Sequence, residues 1–107
     1  MVLKTRSAAH EHKHLSKHEE EFKLLARRNR LIGLWVAEKL GLTGDAATAY
    51  ARDVVVSDLD EPGEDDVIRK IAGDLAAKGI AVADGEIADK MRSFLVKARA
   101  EVAPDTN

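Results

Sequence analysis

"FKLLARRNRLIGLWVAEKLG", residues 22–41, decides how this chain folds. Phe22, Leu25, Ile32, Val36 and Leu40 recur at three- and four-residue steps through Asn29, with Leu24, Leu31 and Trp35 beside them. That spacing predicts an amphipathic helix whose other side carries Lys23, Arg27, Arg30 and Glu38. Gly41 follows the last apolar position and reads as the stop, where a positive φ is cheapest. Gly33 lies inside the helix and costs about 1 kcal/mol relative to alanine. Its expected use is the close approach of a neighbouring helix.

Downstream, Leu42-Thr43-Gly44-Asp45 is a connection, with Thr43 the expected N-cap of a second helix. Ala47, Tyr50, Ala51, Val54 and Val55 give that helix its stripe. The run Val54-Val55-Val56 has strand character, but its shortness and the alanine-rich lead-in favour helix. Pro62-Gly63 then breaks the pattern. Glu64, Asp65 and Asp66 form an acidic first turn suited to a helix start, followed by an apolar face of Val67, Ile68, Ile71 and Leu75. Lys78-Gly79 ends it. Asp84 is placed to cap a last helix with the stripe Ile87, Met91, Phe94, Leu95, Ala98 and Val102. The expected fold is all-α: a compact four-helix domain over 18–103 (about 18–40, 44–57, 64–78 and 84–102), a mobile basic arm over 1–17, and a polar tail over 104–107.

Composition agrees. At 107 residues the chain is one domain with a modest core. Absence of cysteine excludes disulfides and thiolate metal sites. The apolar h-region of a secretory signal is missing after Met1, and the longest strongly apolar stretch, Leu31 to Ala37, is far below the ~20 residues that span a bilayer. Membrane insertion is therefore not expected, and a cytoplasmic location is. Residues 1–30 carry eight Lys or Arg against four Glu, a net of +4, whereas residues 31–107 carry nine against fifteen, a net of −6. A basic arm on an acidic body is a pattern expected of a segment that meets a partner, or of a solvated tail.

Upstream, "HEHKHLSKH", residues 10–18, holds all four histidines. His10-Glu11-His12-Lys13-His14 fits the H-E-x-x-H pattern of zinc peptidases, in which two imidazoles one helical turn apart hold the metal and a glutamate activates water. A peptidase also needs a sheet to hold substrate, and no strand pattern exists here. The nearby Lys4, Arg6, Lys13 and Lys17 oppose a cation, and the run lies outside the periodic part of the chain. No metal site, catalytic residue or cofactor is assigned. Imidazoles gain charge as pH falls below neutral, so the arm would bind an acidic groove more tightly there, or, if helical, repel itself.

Arg27-Arg28-Asn29-Arg30 could touch phosphates. No helix-turn-helix or aromatic stacking pattern accompanies it, and the acidic body would repel nucleic acid. The plainer role is pairing with acidic residues in Asp58 to Asp66. Gly41 and Gly44 lack the spacing and lysine of a P-loop. By residues alone, this is an interaction domain.

"ARRNRLIGLWVAEKLGLTGDAATAYARDVV" (26–55), "LDEPGEDDVIRKI" (59–71) and "GIAVADGEIADKM" (79–91) together resemble the zeta subunit of alphaproteobacterial ATP synthases, in family order and spacing. Arg27, Arg28, Asn29, Gly33, Trp35 and Tyr50 match the family's scaffold pattern. The resemblance implies a four-helix fold and inhibition of ATP hydrolysis without catalysis. It further implies an N-terminal segment, mobile when free, that enters an α/β catalytic interface of the F1 sector, contacts γ and becomes helical. Partner-binding residues carried over on that basis are His10, His12, Lys13, His14, Lys17, His18, Glu19, Glu20, Phe22 and Lys23. The implied location is the cytoplasmic face of the inner membrane, through F1. The arm departs from the family: it is His-rich, has no aromatic before Phe22, and its His18 falls two positions late. An alternative is a non-inhibitory interaction or assembly protein of the same family with a diverged arm.

Overall fold

A computed structural model of the chain describes residues 2–60, 62–83 and 85–102, with side chains described from His18 onward. Its elements are α1 (Val2–Lys39), α2 (Gly44–Asp60), α3 (Glu64–Ala77) and α4 (Glu86–Val102). Among the described residues there is no strand, and the all-α four-helix class expected from periodicity holds.

The helical backbone of α1 begins at Val2, well ahead of the start near residue 18 that apolar spacing marks. Residues 2–17 contain no proline or glycine, and half of them are Ala, Leu, Lys or Arg, so propensity carries the helix where periodicity gives no signal. At 1.5 Å per residue α1 spans about 57 Å, which accounts for the long axis of a molecule measuring 61 × 26 × 25 Å. The 14 to 17 residues of α2, α3 and α4 span at most about 26 Å each. They cannot flank α1 along its whole length. Only its C-terminal half is built into the bundle.

That half supplies Ile32 and Val36, both fully buried, to a core shared with Val54 of α2, Val67, Ile71 and Leu75 of α3, and Ile87 and Met91 of α4. Trp35, Leu40, Tyr50 and Phe94 pack around it, each half-buried. Phe22 departs from its stripe. It is 53% exposed, because α4 ends at Val102 and nothing described in the bundle reaches past that level of α1.

The bundle is turned by two matching helix ends. After α1, Gly41 takes φ 79°; its N–H donates to the Glu38 carbonyl at 3.0 Å, and the Leu42 N–H donates to the Ala37 carbonyl at 2.9 Å. This is the Schellman pattern, which satisfies carbonyls that would otherwise be orphaned. The same pair recurs after α3, with Gly79 bonded to Ala76 and Ile80 to Leu75, both at 2.9 Å. Thr43 stands just ahead of α2 and its carbonyl accepts from the Ala47 N–H at 3.4 Å. The β-branched run Val54–Val56 is helical, as its alanine-rich lead-in suggests. α2 continues to Asp60 rather than 57, stopping just before Pro62, whose ring disfavours helix in the preceding residue. The expected cap at Asp84 lies outside the described residues.

Candidate functional site

The candidate site is the arm and its root on the bundle. Of the residues expected to bind a partner, His10, His12, Lys13, His14 and Lys17 have described backbone on α1, and their side chains lie outside the described residues. His18, Glu19, Glu20, Phe22 and Lys23 are all exposed on the next turns of the same helix. They continue the arm without a break. Among the described residues no three His, Cys, Asp or Glu come together as a metal site.

The basic cluster divides once the helix forms. Arg27 and Arg30 face outward, while Arg28 and Asn29 are turned into the bundle and are 5% and 1% exposed. A buried guanidinium and amide must be hydrogen-bonded or they destabilise the fold. Arg28 Nε donates to Asn29 Oδ1 at 3.1 Å, and its Nη1 lies 3.5 Å from Glu64 Oε2. Asn29 Nδ2 donates to Asp58 Oδ2 at 2.8 Å, and the Gly63 N–H donates to the other Asp58 oxygen at 3.2 Å. Arg28 and Asn29 thus pair with the acidic segment as expected, whereas Arg27 pairs with Glu101. Asp58 and Glu64, from that acidic segment, clamp the α2–α3 turn onto α1. Among the described residues no buried side-chain nitrogen or oxygen lacks a partner.

Of three further scaffold residues, Gly33 and Trp35 hold α1 at its neighbours and Tyr50 joins α2 to α3. Gly33 abuts Ala51: a Cβ placed on Gly33 would lie 2.7 Å from the Ala51 Cα, which is the close helix approach its position implied. Trp35 is flanked by two ammonium groups, Lys39 Nζ at 4.9 Å and Lys90 Nζ at 5.4 Å from its ring, a cation–π arrangement linking α1 to α4. Tyr50 Oη donates to Asp74 Oδ2 at 2.7 Å. Lys70 Nζ sits 3.1 Å from both Asp53 and Asp74, joining α2 to α3. Burial pushes the Tyr50 hydroxyl far above the ordinary tyrosine range, reinforced by its bond to Asp74 and by the charges of Asp74 and Asp53. Burial pulls Lys70 down, but its bonds to Asp53 and Asp74 outweigh this and leave it raised.

Where the arm meets the bundle, α1, α2 and α4 leave a groove of about 510 Å³. Phe22, Ala26, Val55 and Val102 give it apolar walls, and Lys23, Arg27 and Arg30 a cationic rim. Arg27 Nε lies 3.7 Å from Glu101 Oε1 across it. Sequence reasoning assigned Val55 and Val102 to buried stripes and left Arg30 outside the site. Only the packing of the middle of α1 against α2 and the end of α4 brings them together, and periodicity along one helix carries no signal for that.

No helix among the described residues is long and apolar enough to cross a membrane. The model of the family described as ATPase inhibitor subunit zeta matches residues 1–101, spanning the arm, its root and nearly all of the bundle. No curated protein matches the chain. A structure solved in solution by NMR is similar, with a TM-score of 0.68 and 45% identity over 79% of this chain and 96% of that one. That share leaves about a fifth of this chain outside the likeness.

Proposed function

The chain belongs to the family of ATPase inhibitor subunit zeta, and from that premise we propose that it stops ATP hydrolysis by wedging its N-terminal arm into the F1 sector of an ATP synthase. The arm enters between an α and a β subunit at a catalytic interface and reaches the γ stalk, while the bundle stays outside as a stop. The protein acts by obstruction, with no catalysis of its own. The observation that carries this reading is the shape of α1, a single helix that is core at one end and projects past its bundle at the other.

That shape has an energetic logic. The first seventeen residues carry no sustained apolar spacing, and a helical segment without an apolar face to pack draws little stability from propensity alone. Clasped between two subunits, the same segment gains contacts on both sides, so its ordering and its binding are one event. Its excess of Lys and Arg speeds approach to an acidic cleft. His18, Glu19, Glu20, Phe22 and Lys23 then lie at the mouth of the interface, with the upstream histidines and lysines deeper in it.

The departure of the arm from the family's pattern favours one rival: an interaction protein on the same scaffold that binds the synthase without inhibiting it. An ATPase assay on the catalytic head separates the two. Full-length chain should suppress hydrolysis, and a chain lacking residues 1–17 should not, while retaining the helical signal of the bundle. Hydrolysis unchanged by saturating full-length protein would sink the inhibitory reading.

A further inference from the structure

The groove at the arm root carries three cations around an apolar floor. Lys23, Arg27 and Arg30, all from the first thirty residues with their net of +4, border a floor of Phe22, Val55 and Val102. The anion in that groove, Glu101, is already paired with Arg27. Exposed aromatic and arginine side chains gathered around apolar floor are the composition of an interface centre. Val56 and Leu59, on the adjoining turns of α2, are exposed as well, at 43% and 53%.

We propose that this groove is a second contact with the ATP synthase, receiving an acidic amphipathic helix on the outer surface of the catalytic head beside the point of arm entry. Charge complementarity names the occupant: a carboxylate-bearing helix edge meets the cationic rim while its apolar edge covers Phe22 and Val102. Continuity places it. The long wall of the groove is α1, the same rod that carries the arm, so seating the arm delivers the groove to that surface. The proposal rests on the arm reading above and extends it, because two contacts on one continuous helix reinforce each other through effective concentration.

The test uses the full chain and the isolated catalytic head. Arg30→Glu with Val102→Ser should raise Kd at least about tenfold, raise the half-inhibitory concentration in step, and flatten the dependence of Kd on salt. An unchanged Kd overturns the proposal. A raised Kd with an unaltered salt slope overturns the acidic assignment of the occupant. Wild-type protein that binds without inhibiting removes the arm reading alone, and the Kd comparison still judges the groove. Wild-type protein that does not bind removes both. Arg30 is exposed, so Arg30→Glu alone keeps the measurement available should the double variant misfold, with about a threefold weakening expected and no weakening counting against the groove.

Discussion

Gly33 of α1 and Ala51 of α2 meet backbone to backbone, so closely that a single added carbon would lie 2.7 Å from the Ala51 Cα. This contact sets the α1–α2 crossing. Gly33→Ala gains about 1 kcal/mol of helix propensity but must force two helices apart, an overpacking cost of about 1–3 kcal/mol or more when backbone is the obstacle. Net destabilisation is expected in urea unfolding. A variant as stable as wild type would show that α1 and α2 can slide apart cheaply.

Asn29 is the most deeply buried polar residue of the bundle, and it bonds both Arg28 and Asp58. Asn29→Ala leaves a buried guanidinium and an inward-facing carboxylate short of a partner. Each such loss costs about 1–3 kcal/mol, so a drop of at least about 2 kcal/mol is expected. The α2–α3 turn should lose amide protection first, and hydrogen exchange at Gly63 reports it.

Tyr50 and Lys70 together make the fold sensitive to alkali. Both are raised in the folded chain, Tyr50 by burial and its Asp74 bond, Lys70 because two carboxylates outweigh its burial. Their contribution is whole below the unfolded values, about 10 for tyrosine and about 10.4 for lysine, and is lost as pH rises through the folded ones. Denaturation midpoints should therefore fall above about pH 10. Tyr50→Phe should lose about 1 kcal/mol at neutral pH and fall less steeply in alkali. An equal slope for both proteins would remove Tyr50 from the account.

Phe22 separates binding from folding. At 53% exposure its replacement by alanine should change stability by no more than about 0.5 kcal/mol. The half-inhibitory concentration should nonetheless rise by about tenfold, in line with an aromatic anchor at an interface. Matched thermal melts and ATPase titrations give both numbers. A large loss of stability with unaltered inhibition would place Phe22 in the bundle instead.

Helix identity was legible in the sequence wherever one face met a core. Ile32 and Val36, Ile71 and Leu75, Ile87 and Met91 all sit where three- and four-residue spacing put them, and Gly41 and Gly79 end helices as glycine should. Gly33 disclosed a close contact without disclosing its partner. The fate of Arg28 was harder to read, because a charged residue beside an apolar stripe looks the same whether it faces water or Asn29. The continuation of α1 back to Val2 was invisible to periodicity, since residues 2–17 carry no sustained apolar spacing. Convergence of Phe22, Arg30, Val55 and Val102 depends on how three helices pack together. That is a property of the assembled bundle, not of any one segment.

The unbroken run of α1 also imposes an angular register on the protein. With no joint between the leader and Ile32, whichever edge the leader shows to the enzyme is dictated by how the core grips the far end of the same rod. One residue inserted between His18 and Phe22 would swing everything upstream by about 100° and advance it by about 1.5 Å, without altering any chemical group. Leaders exchanged between such proteins would then keep their orientation only in steps of whole turns, so spacing acts as a determinant of specificity alongside side-chain identity.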